Sequence, residues 1–590
     1  MKKLVLLMLV IIPAVTFSQN LIDTNWKFKT GDSPEWRNDT VADDNWPEIE
    51  AGKVWEQQGY FDHDGYAWYR KTVIIPAKLK HEALKKGGLI LDLGKIDDAG
   101  EIYWNGESVL KNGDFPPNYV QAYNEAAKVD IPAHKVRWDA PNLIAVRVYD
   151  DKGNGGIYGG SPTLRVKGLD DLLKVEVRMA PEDHIFTNVK SVVIPVAFTN
   201  NFPGKLEGII AYTVTSDFHD VIMSEQHNLS IRRHKTFTDK LILEDLAPGF
   251  YEVTATFKSD IDNKTYTFRF GKDPEQIVSP TDRPDDFADY WRRAKKELAA
   301  VEPQFNLIYQ DSISTPEREV YLVEMRSLGN VLVRGWYAKP RKEGIYPAIL
   351  HVQGYSTNQT LSWAYPGSDM AVFALNIRGH GNSKDDVDPG FPGYLQDHLD
   401  DHECYIYRGA YMDCIRAVDF LFSRPEVDTT RVVVEGGSQG GALSFATAAL
   451  DNERIALCVP HVPFLSDFRD YFKVATWPAN EFVAYKKAHP EISWDAIYHT
   501  LSYIDIKNLA PWIKAPVFMG AGLMDVTCPP HINFAAYNQL TVPKEYVVYP
   551  WSGHGINPEY HVLKYKWIKS HLGMEEGGRG KRRLEVRGKK

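Results

Sequence analysis

The segment "VVVEGGSQGG", residues 432–441, places four glycines around Ser438 and Gln439, after three valines and a glutamate. Glycine is costly inside regular structure, so this density is typical of backbone that other chain segments approach closely. A helix-forming stretch, "GALSFATAAL", follows at once. We therefore predict that a buried strand turns sharply into a helix here, with Ser438 at the turn.

Strand-like and helix-like segments alternate around this turn, in the second half of the chain. The strands are "YPAILHVQGY", "MAVFALNIRG", "RVVVEGG", "APVFMGAG" and "KEYVVYPWSG", and the longest helix is "YRGAYMDCIRAVDFLFS". Near-continuous apolar strands separated by helices predict a mostly parallel, doubly wound sheet that is covered on both faces. An amphipathic helix in "PDDFADYWRRAKKELAA" opens this α/β unit, which we assign to residues 278–572.

The sequence of the N-terminal half predicts two β-sandwich domains. Residues 19–166 contain aromatic and β-branched strands with a hairpin signal at Asn105-Gly106, and they favour an antiparallel sandwich of jelly-roll type. Residues 167–277 continue with strands at the spacing of an immunoglobulin-like sandwich and carry no chemical motif, so we interpret them as a spacer. The fold class expected is therefore multidomain, with an α/β hydrolase preceded by two β-sandwiches.

The two ends of the chain differ from the rest in composition. Residues 1–18 combine two lysines, a short apolar run and small residues, which predicts a signal peptide and a periplasmic or secreted protein. No later window is apolar enough for a membrane span. Residues 573–590 are charged and glycine-rich, which is typical of a disordered basic tail. A net charge of −10 argues against a nucleic-acid partner, and we interpret the four cysteines as buried thiols.

The turn at Ser438 satisfies the pattern G-x-S-x-G between a strand and a helix, which is the context of a nucleophile elbow. A serine hydroxyl needs a base and a group that orients the base. Asp525 and His554 follow Ser438 in the chain order of α/β hydrolases, and each comes just after a predicted strand. The carboxyl ends of parallel strands meet at one sheet edge, so we expect the three side chains to form a catalytic triad there.

An oxyanion hole requires two backbone N–H groups aimed at the developing negative charge. One candidate is Gln439, the residue after the nucleophile, and the other is Tyr355 in the loop after an early strand. This chemistry needs no metal and no organic cofactor.

Residues from about 280 to 572 resemble carbohydrate esterase family seven, the acetyl xylan esterase and cephalosporin C deacetylase family. The matching segments include "PDDFADYW", "YRGAYMDCIRAVDFL", "GGSQGG", "VPFLSDFRD" and "GLMDVTCPPHINFAAYN". The resemblance implies the same triad and the same oxyanion donors. Two positions depart from the family pattern: the family's Arg-Gly-Gln is Arg-Gly-His at His380, and its His-Glu ends in Gly555. The family's rings of six subunits imply a homo-oligomer, although two added sandwiches argue against such a ring here.

The front domain is similar to the sugar-binding jelly-roll domain of β-galactosidase-like glycosidases, through "YRK", "EIYWNG" and "RVYD". Such domains are often only scaffolds, so the resemblance favours an architectural role and leaves sugar binding as the alternative. The esterase resemblance and the predicted signal peptide together imply a secreted serine esterase that removes acetyl groups from polysaccharides or oligosaccharides through an acetyl-enzyme. Two alternatives remain at this point. One is a serine peptidase of the prolyl oligopeptidase type, and the other is a glycan-binding protein without catalytic activity.

Overall fold

The computed structural model describes residues 20–61, 63–359 and 369–574. The expected signal peptide and residues 575–590 of the expected tail lie outside the described residues. Five sheets occur within the described part, two in each sandwich and one in the α/β unit. None of the helices in that part is long and apolar enough to cross a membrane.

The first sandwich consists of a six-stranded sheet ordered β2-β1-β3-β8-β5-β6 and a second sheet in which β10-β4-β7 is joined by β9. One hydrophobic cluster, with Tyr69 and Leu91 at its centre, joins the two sheets. The hairpin predicted at Asn105-Gly106 forms, because both residues have a positive φ. The elements are β1 Asn25–Thr30, β2 Glu48–Glu50, β3 Gly65–Ile74, α1 Lys80–Lys86, β4 Leu89–Asp97, β5 Ala99–Trp104, β6 Glu107–Asn112, β7 Ala126–Ile131, β8 Pro141–Asp150, β9 Gly156–Tyr158 and β10 Thr163–Val166.

The second sandwich pairs a three-stranded sheet, β11-β13-β16, with a five-stranded sheet, β12-β18-β17-β14-β15. Alternate residues of these strands are buried, so each sheet has one apolar face toward its partner. The elements are α2 Leu169–Leu172, β11 Leu173–Val177, β12 Ile185–Phe186, β13 Ser191–Asn200, β14 Leu206–Ser216, β15 Val221–Ile231, β16 Thr236–Glu244, β17 Gly249–Ser259 and β18 Asn263–Lys272. The exact domain boundaries stay predictions.

A nine-stranded sheet, β19-β20-β21-β23-β22-β24-β25-β26-β27, forms the centre of the α/β unit. The six strands from β23 to β27 along this order are parallel, and β19 to β21 add an antiparallel edge. Its strands are β19 Asn306–Tyr309, β20 Arg318–Arg326, β21 Leu332–Pro340, β22 Tyr346–Val352, β23 Ala371–Asn376, β24 Val427–Gly437, β25 Leu457–His461, β26 Val517–Gly522 and β27 Lys544–Tyr549. The predicted fold class, an α/β unit preceded by two β-sandwiches, is confirmed by these sheets.

Helices cover the nine-stranded sheet. They are α3 Phe287–Ala299, α4 Ile406–Phe422, α5 Gln439–Leu450, α6 Phe468–Val474, α7 Ala479–Ala488, α8 Trp494–Ile504, α9 Ile506–Leu509, α10 Pro530–Asn538 and α11 Glu559–His571. The predicted amphipathic helix is α3, and its apolar face is buried. Nearly every residue of α4 and α5 is buried, as expected of helices that lie between the sheet and outer layers. Cys414, Cys458 and Cys528 are buried thiols, but the prediction is wrong for Cys404, which lies exposed in the turn before α4.

The hydrophobic core of the α/β unit extends into the second sandwich. Ile185 of β12 and Phe250 of β17 belong to the same buried cluster as α10 and the nine-stranded sheet. The rings of Phe250 and Phe534 are 5.6 Å apart. Ile277, the last residue assigned to the second sandwich, is buried in this cluster as well. The second sandwich and the α/β unit therefore share apolar surface that each would expose without the other.

Candidate active site

The turn at Ser438 has the strained geometry of a nucleophile elbow. Strand β24 ends at Gly437, helix α5 begins at Gln439, and Ser438 between them has φ 58° and ψ −123°. A positive φ is uncommon for a residue other than glycine and is typical of strained functional turns. The turn lifts the Ser438 side chain above the carboxyl end of β24.

The glycines around Ser438 are explained by close backbone contacts. A Cβ on Gly437 would lie 2.2 Å from Nε2 of His461, and one on Gly440 would lie 2.3 Å from the carbonyl oxygen of Val352. Both distances are shorter than real Cβ contacts. Strands β22 and β25 and helix α5 can therefore approach the turn only where side chains are missing.

Asp525 and His554 are held together beside this turn. Oδ2 of Asp525 lies 2.9 Å from Nδ1 of His554, and Oδ1 accepts the backbone N–H groups of Thr527 and Cys528 at 2.8 and 2.9 Å. Asp525 is fully buried, whereas the His554 side chain is about one third exposed. The carboxylate thus fixes the imidazole, whose Nε2 remains available to a substrate.

Ser438 and His554 line one cavity of about 610 Å³. Gly354 lies on the same wall, one residue before Tyr355. The N–H of Gln439 is at the first position of α5, where no intrahelical carbonyl can accept it. The structure therefore brings four of the five predicted residues to one place, and the fifth, Tyr355, follows a residue of the cavity wall. Their catalytic roles stay predictions.

The Tyr355 ring lies in an aromatic cluster beside the cavity. Its hydroxyl donates to Glu481 at 2.7 Å, and its ring centroid lies 5.0 Å from that of Phe391 and 6.0 Å from that of Trp477. Helix α7 carries Glu481, so the loop after β22 is tied to an outer helix. The backbone at Tyr355 is held in place by this anchorage.

His380, one of the two departures from the family pattern, lies behind the predicted oxyanion donor. It is fully buried, and burial lowers the pKa of its imidazole to about 4, so the ring is neutral near pH 7. Its Nε2 lies 3.2 Å from the amide nitrogen of the Gln439 side chain, which donates to it. The Tyr407 hydroxyl donates to the other end of that amide at 2.6 Å. His380 therefore helps to fix the residue that follows the nucleophile.

Several residues around the cavity were missed by the sequence interpretation. The Cys528 thiol lies 3.9 Å from the Ser438 hydroxyl, and burial raises its pKa well above the usual value. Glu435 also lines the cavity, and it pairs there with Lys564 and with His351, whose Nδ1 is 3.1 Å away. Burial disfavours the charged carboxyl, but Lys564 and His351 hold the pKa of Glu435 well below its ordinary value. A glutamate inside the apolar strand "VVVEGG" was the available signal for this buried ion pair.

Known proteins share this half of the chain. The sequence model of the acetyl xylan esterase (AXE1) family matches residues 276–571. The acetyl esterase Axe7A of Xylanibacter ruminicola is 29% identical over 339 residues, which are 55% of this chain and 75% of that protein. The solved acetyl xylan esterase from Paenibacillus sp. R4 is 34% identical, with 50% of this chain and 98% of that chain covered and a TM-score of 0.48. The solved acetyl xylan esterase 1 from Thermoanaerobacterium sp. JW/SL YS485 is 32% identical, with 50% of this chain and 97% of that chain covered and a TM-score of 0.47.

Proposed function

The chain belongs to the acetyl xylan esterase family, and from this premise we propose that Ser438, His554 and Asp525 are the catalytic triad of an exported polysaccharide deacetylase. Family membership makes the protein a carboxylic ester hydrolase that acts on acetyl esters. The single observation that carries the residue assignment is the shared cavity of Ser438 and His554, with Asp525 2.9 Å from the imidazole. The signal peptide predicted at residues 1–18 supports export.

The proposed reaction has two steps. The Ser438 hydroxyl attacks the acetyl carbonyl, and Nε2 of His554 takes its proton, because Nδ1 is held by Asp525. The N–H groups of Gln439 and Tyr355 stabilise the oxyanion of the tetrahedral intermediate. The bond from the carbonyl carbon to the sugar oxygen then breaks, and His554 returns the proton to that oxygen, so the sugar leaves as a free hydroxyl and the acetyl group stays on Ser438. Water activated by the same histidine releases acetate and restores the serine.

The proposed substrate is an acetylated polysaccharide or oligosaccharide. The family supports a carbohydrate acetyl ester, and the resemblance of residues 19–166 to a sugar-binding domain supports a polymeric one. The family match argues against the peptidase alternative, and it argues also against a glycan-binding protein without activity.

The proposal predicts a strict preference for short acyl groups. If the acyl site beside Ser438 is closed by bulky walls, such as the cluster around Tyr355, additional methylenes will be rejected. We expect kcat/KM on 4-nitrophenyl esters to fall steadily from acetate to butyrate to octanoate. An open apolar groove would instead gain about 0.8 kcal/mol for each methylene buried. The Ser438→Ala variant supplies the background rate, and rates that rise with chain length would contradict the assignment to acetate.

A further inference from the structure

The loop that carries Asp525 is held from outside the α/β unit. This loop connects β26 to α10, and its backbone carbonyls at Leu523 and Asp525 accept hydrogen bonds from Arg269 of the second sandwich. The distances from Nη1 of Arg269 to these two oxygens are 3.2 and 3.4 Å. A residue more than 250 positions away in sequence therefore touches the main chain of the predicted catalytic acid.

Arg269 is itself fixed in the sandwich. It lies on β18 directly opposite Glu252 of β17, whose Oε2 accepts a hydrogen bond from Nε at 2.9 Å and forms an ion pair with Nη2 at 2.7 Å. A planar guanidinium bound on one edge by a carboxylate has little freedom to turn. Its remaining nitrogen, Nη1, is thereby aimed at the loop. The two-residue unit of Glu252 and Arg269 forms a rigid support.

The far end of the loop is held by the same sandwich. Nδ1 of His531, near the start of α10, lies 2.7 Å from Oδ2 of Asp217 in the loop after β14. The ring of Phe218 packs edge-on against His531 with centroids 5.0 Å apart. Both ends of the segment from Leu523 to His531 therefore contact the second sandwich.

The loop that carries His554 is also in contact with this sandwich. Trp551, three residues before His554, packs edge-on against His184 at a centroid distance of 5.2 Å. His184 lies directly before β12. The second sandwich thus contacts both the loop that carries Asp525 and the loop that carries His554.

We propose that Arg269 is a positioning residue that sets the orientation of Asp525 toward His554, so that the second sandwich is part of the support of the active site. The inference rests on the proposed function, since it assumes that Asp525 and His554 act as acid and base. Among the residues that the structure describes, the hydrogen bonds to Oδ1 of Asp525 come from N–H groups of its own loop, at Thr527 and Cys528. Any displacement of this main chain is therefore passed on to the carboxylate.

The expected effect is on kcat rather than on binding. Arg269 contacts the loop carbonyls and does not line the cavity that contains Ser438. A displacement of about 1 Å in a catalytic constellation can reduce the rate about 100-fold. We expect Arg269→Gln to lower kcat by about 10- to 100-fold and to change KM by no more than about threefold.

The test distinguishes a change in active-site geometry from a loss of folded protein. Wild type and variants are treated with a fluorophosphonate, and the fraction of chains labelled at Ser438 at completion is measured by intact mass. Hydrolysis of 4-nitrophenyl acetate by untreated samples of the same preparations is then divided by the fraction of sites that can be labelled. Arg269→Gln should label to the same extent as wild type, yet turn over more slowly per site. Arg269→Lys retains a donor but not the two-edged geometry, so it should recover part of the loss.

Two controls address charge. The double variant Glu252→Gln with Arg269→Gln leaves no unpaired carboxylate, and it should be as slow as Arg269→Gln alone. Arg233→Gln removes an exposed arginine of the same sandwich, in the turn between β15 and β16, and should behave as wild type. Recovery in the double variant would assign the loss to the charge of Glu252 and overturn the inference.

Other outcomes are equally decisive. Turnover per labelled site within about twofold of wild type in both Arg269 variants would overturn the positioning role. The role would also be overturned if total turnover fell only in proportion to the fraction of chains that label, because a purely structural residue gives that result. If Arg269→Gln does not fold, Arg269→Lys and Glu252→Gln provide the same comparison. A wild-type protein that neither labels at Ser438 nor releases acetate would instead overturn the proposed function.

Discussion

Replacement of Gly440 by alanine should damage the active site more than it stabilises helix α5. The new Cβ would lie 2.3 Å from the carbonyl oxygen of Val352 and 3.0 Å from its carbonyl carbon. The first contact must lengthen to at least about 3 Å, because shorter Cβ contacts are essentially never found. The strand β22 is buried on both sides, so the start of α5 has to move instead.

Two opposing free energies decide the effect on stability. Alanine is favoured over glycine in a helix by about 1 kcal/mol. Overpacking against a rigid backbone costs about 1–3 kcal/mol. We therefore expect a net loss of about 1 kcal/mol in the free energy of unfolding. The effect on activity should be larger, because the same displacement separates the N–H of Gln439 from that of Tyr355 and can reduce kcat about 100-fold.

The assay combines denaturant unfolding with kcat/KM on 4-nitrophenyl acetate. Gly204→Ala is the matched control, since its Cβ would meet only the Phe202 ring at 3.6 Å, an ordinary contact. The control should keep wild-type activity. A Gly440→Ala variant that is more stable than wild type and fully active would refute the explanation given for the glycines around Ser438.

Two further predictions concern single side chains. Burial opposes the charge on His531, but the carboxylates of Asp217, hydrogen-bonded to Nδ1, and of Asp470, 3.4 Å from Nε2, raise its pKa to about 9. Protonated His531 should therefore add about 3 kcal/mol to the free energy of unfolding. This contribution should be complete below pH 6.5 and lost as the pH rises through 9. Denaturant unfolding at pH 6 and pH 10 measures it, and a His531→Gln variant that keeps the wild-type pH dependence would contradict this reasoning. Asp525→Asn should reduce kcat on 4-nitrophenyl acetate about 10⁴-fold while Ser438 stays intact, and a loss below tenfold would remove Asp525 from the triad.

The sequence predicted the α/β unit well because its signals are local. An apolar strand, four glycines and a helix-forming run fixed the elbow at Ser438, and the chain order of the hydrolase fold placed Asp525 and His554 after later strands. These positions depend on which strand precedes them, and strand character is visible within a few residues. The aromatic face of α3 was predictable for the same reason.

The contacts between the second sandwich and the α/β unit could not be predicted in this way. Arg269 alternates with apolar residues on a sandwich strand, as a solvent-facing residue would, and nothing nearby in sequence indicates the Asp525 loop as its partner. The junction near Ile277 is polar and contains prolines, which is typical of a linker, yet Ile277 itself is buried in the shared core. Such pairings depend on how two domains pack, and a single sequence carries no signal for that.

The central claim is that Ser438 is the nucleophile of a polysaccharide deacetylase, and acetate release tests it most directly. Wild type and Ser438→Ala are incubated with acetylated xylan and with a panel of other acetylated polysaccharides, and free acetate is quantified. We predict that wild type releases acetate from at least one polymer and that Ser438→Ala, although folded, is slower by about 10⁵- to 10⁶-fold. Acetate release by Ser438→Ala at more than a tenth of the wild-type rate would contradict the account.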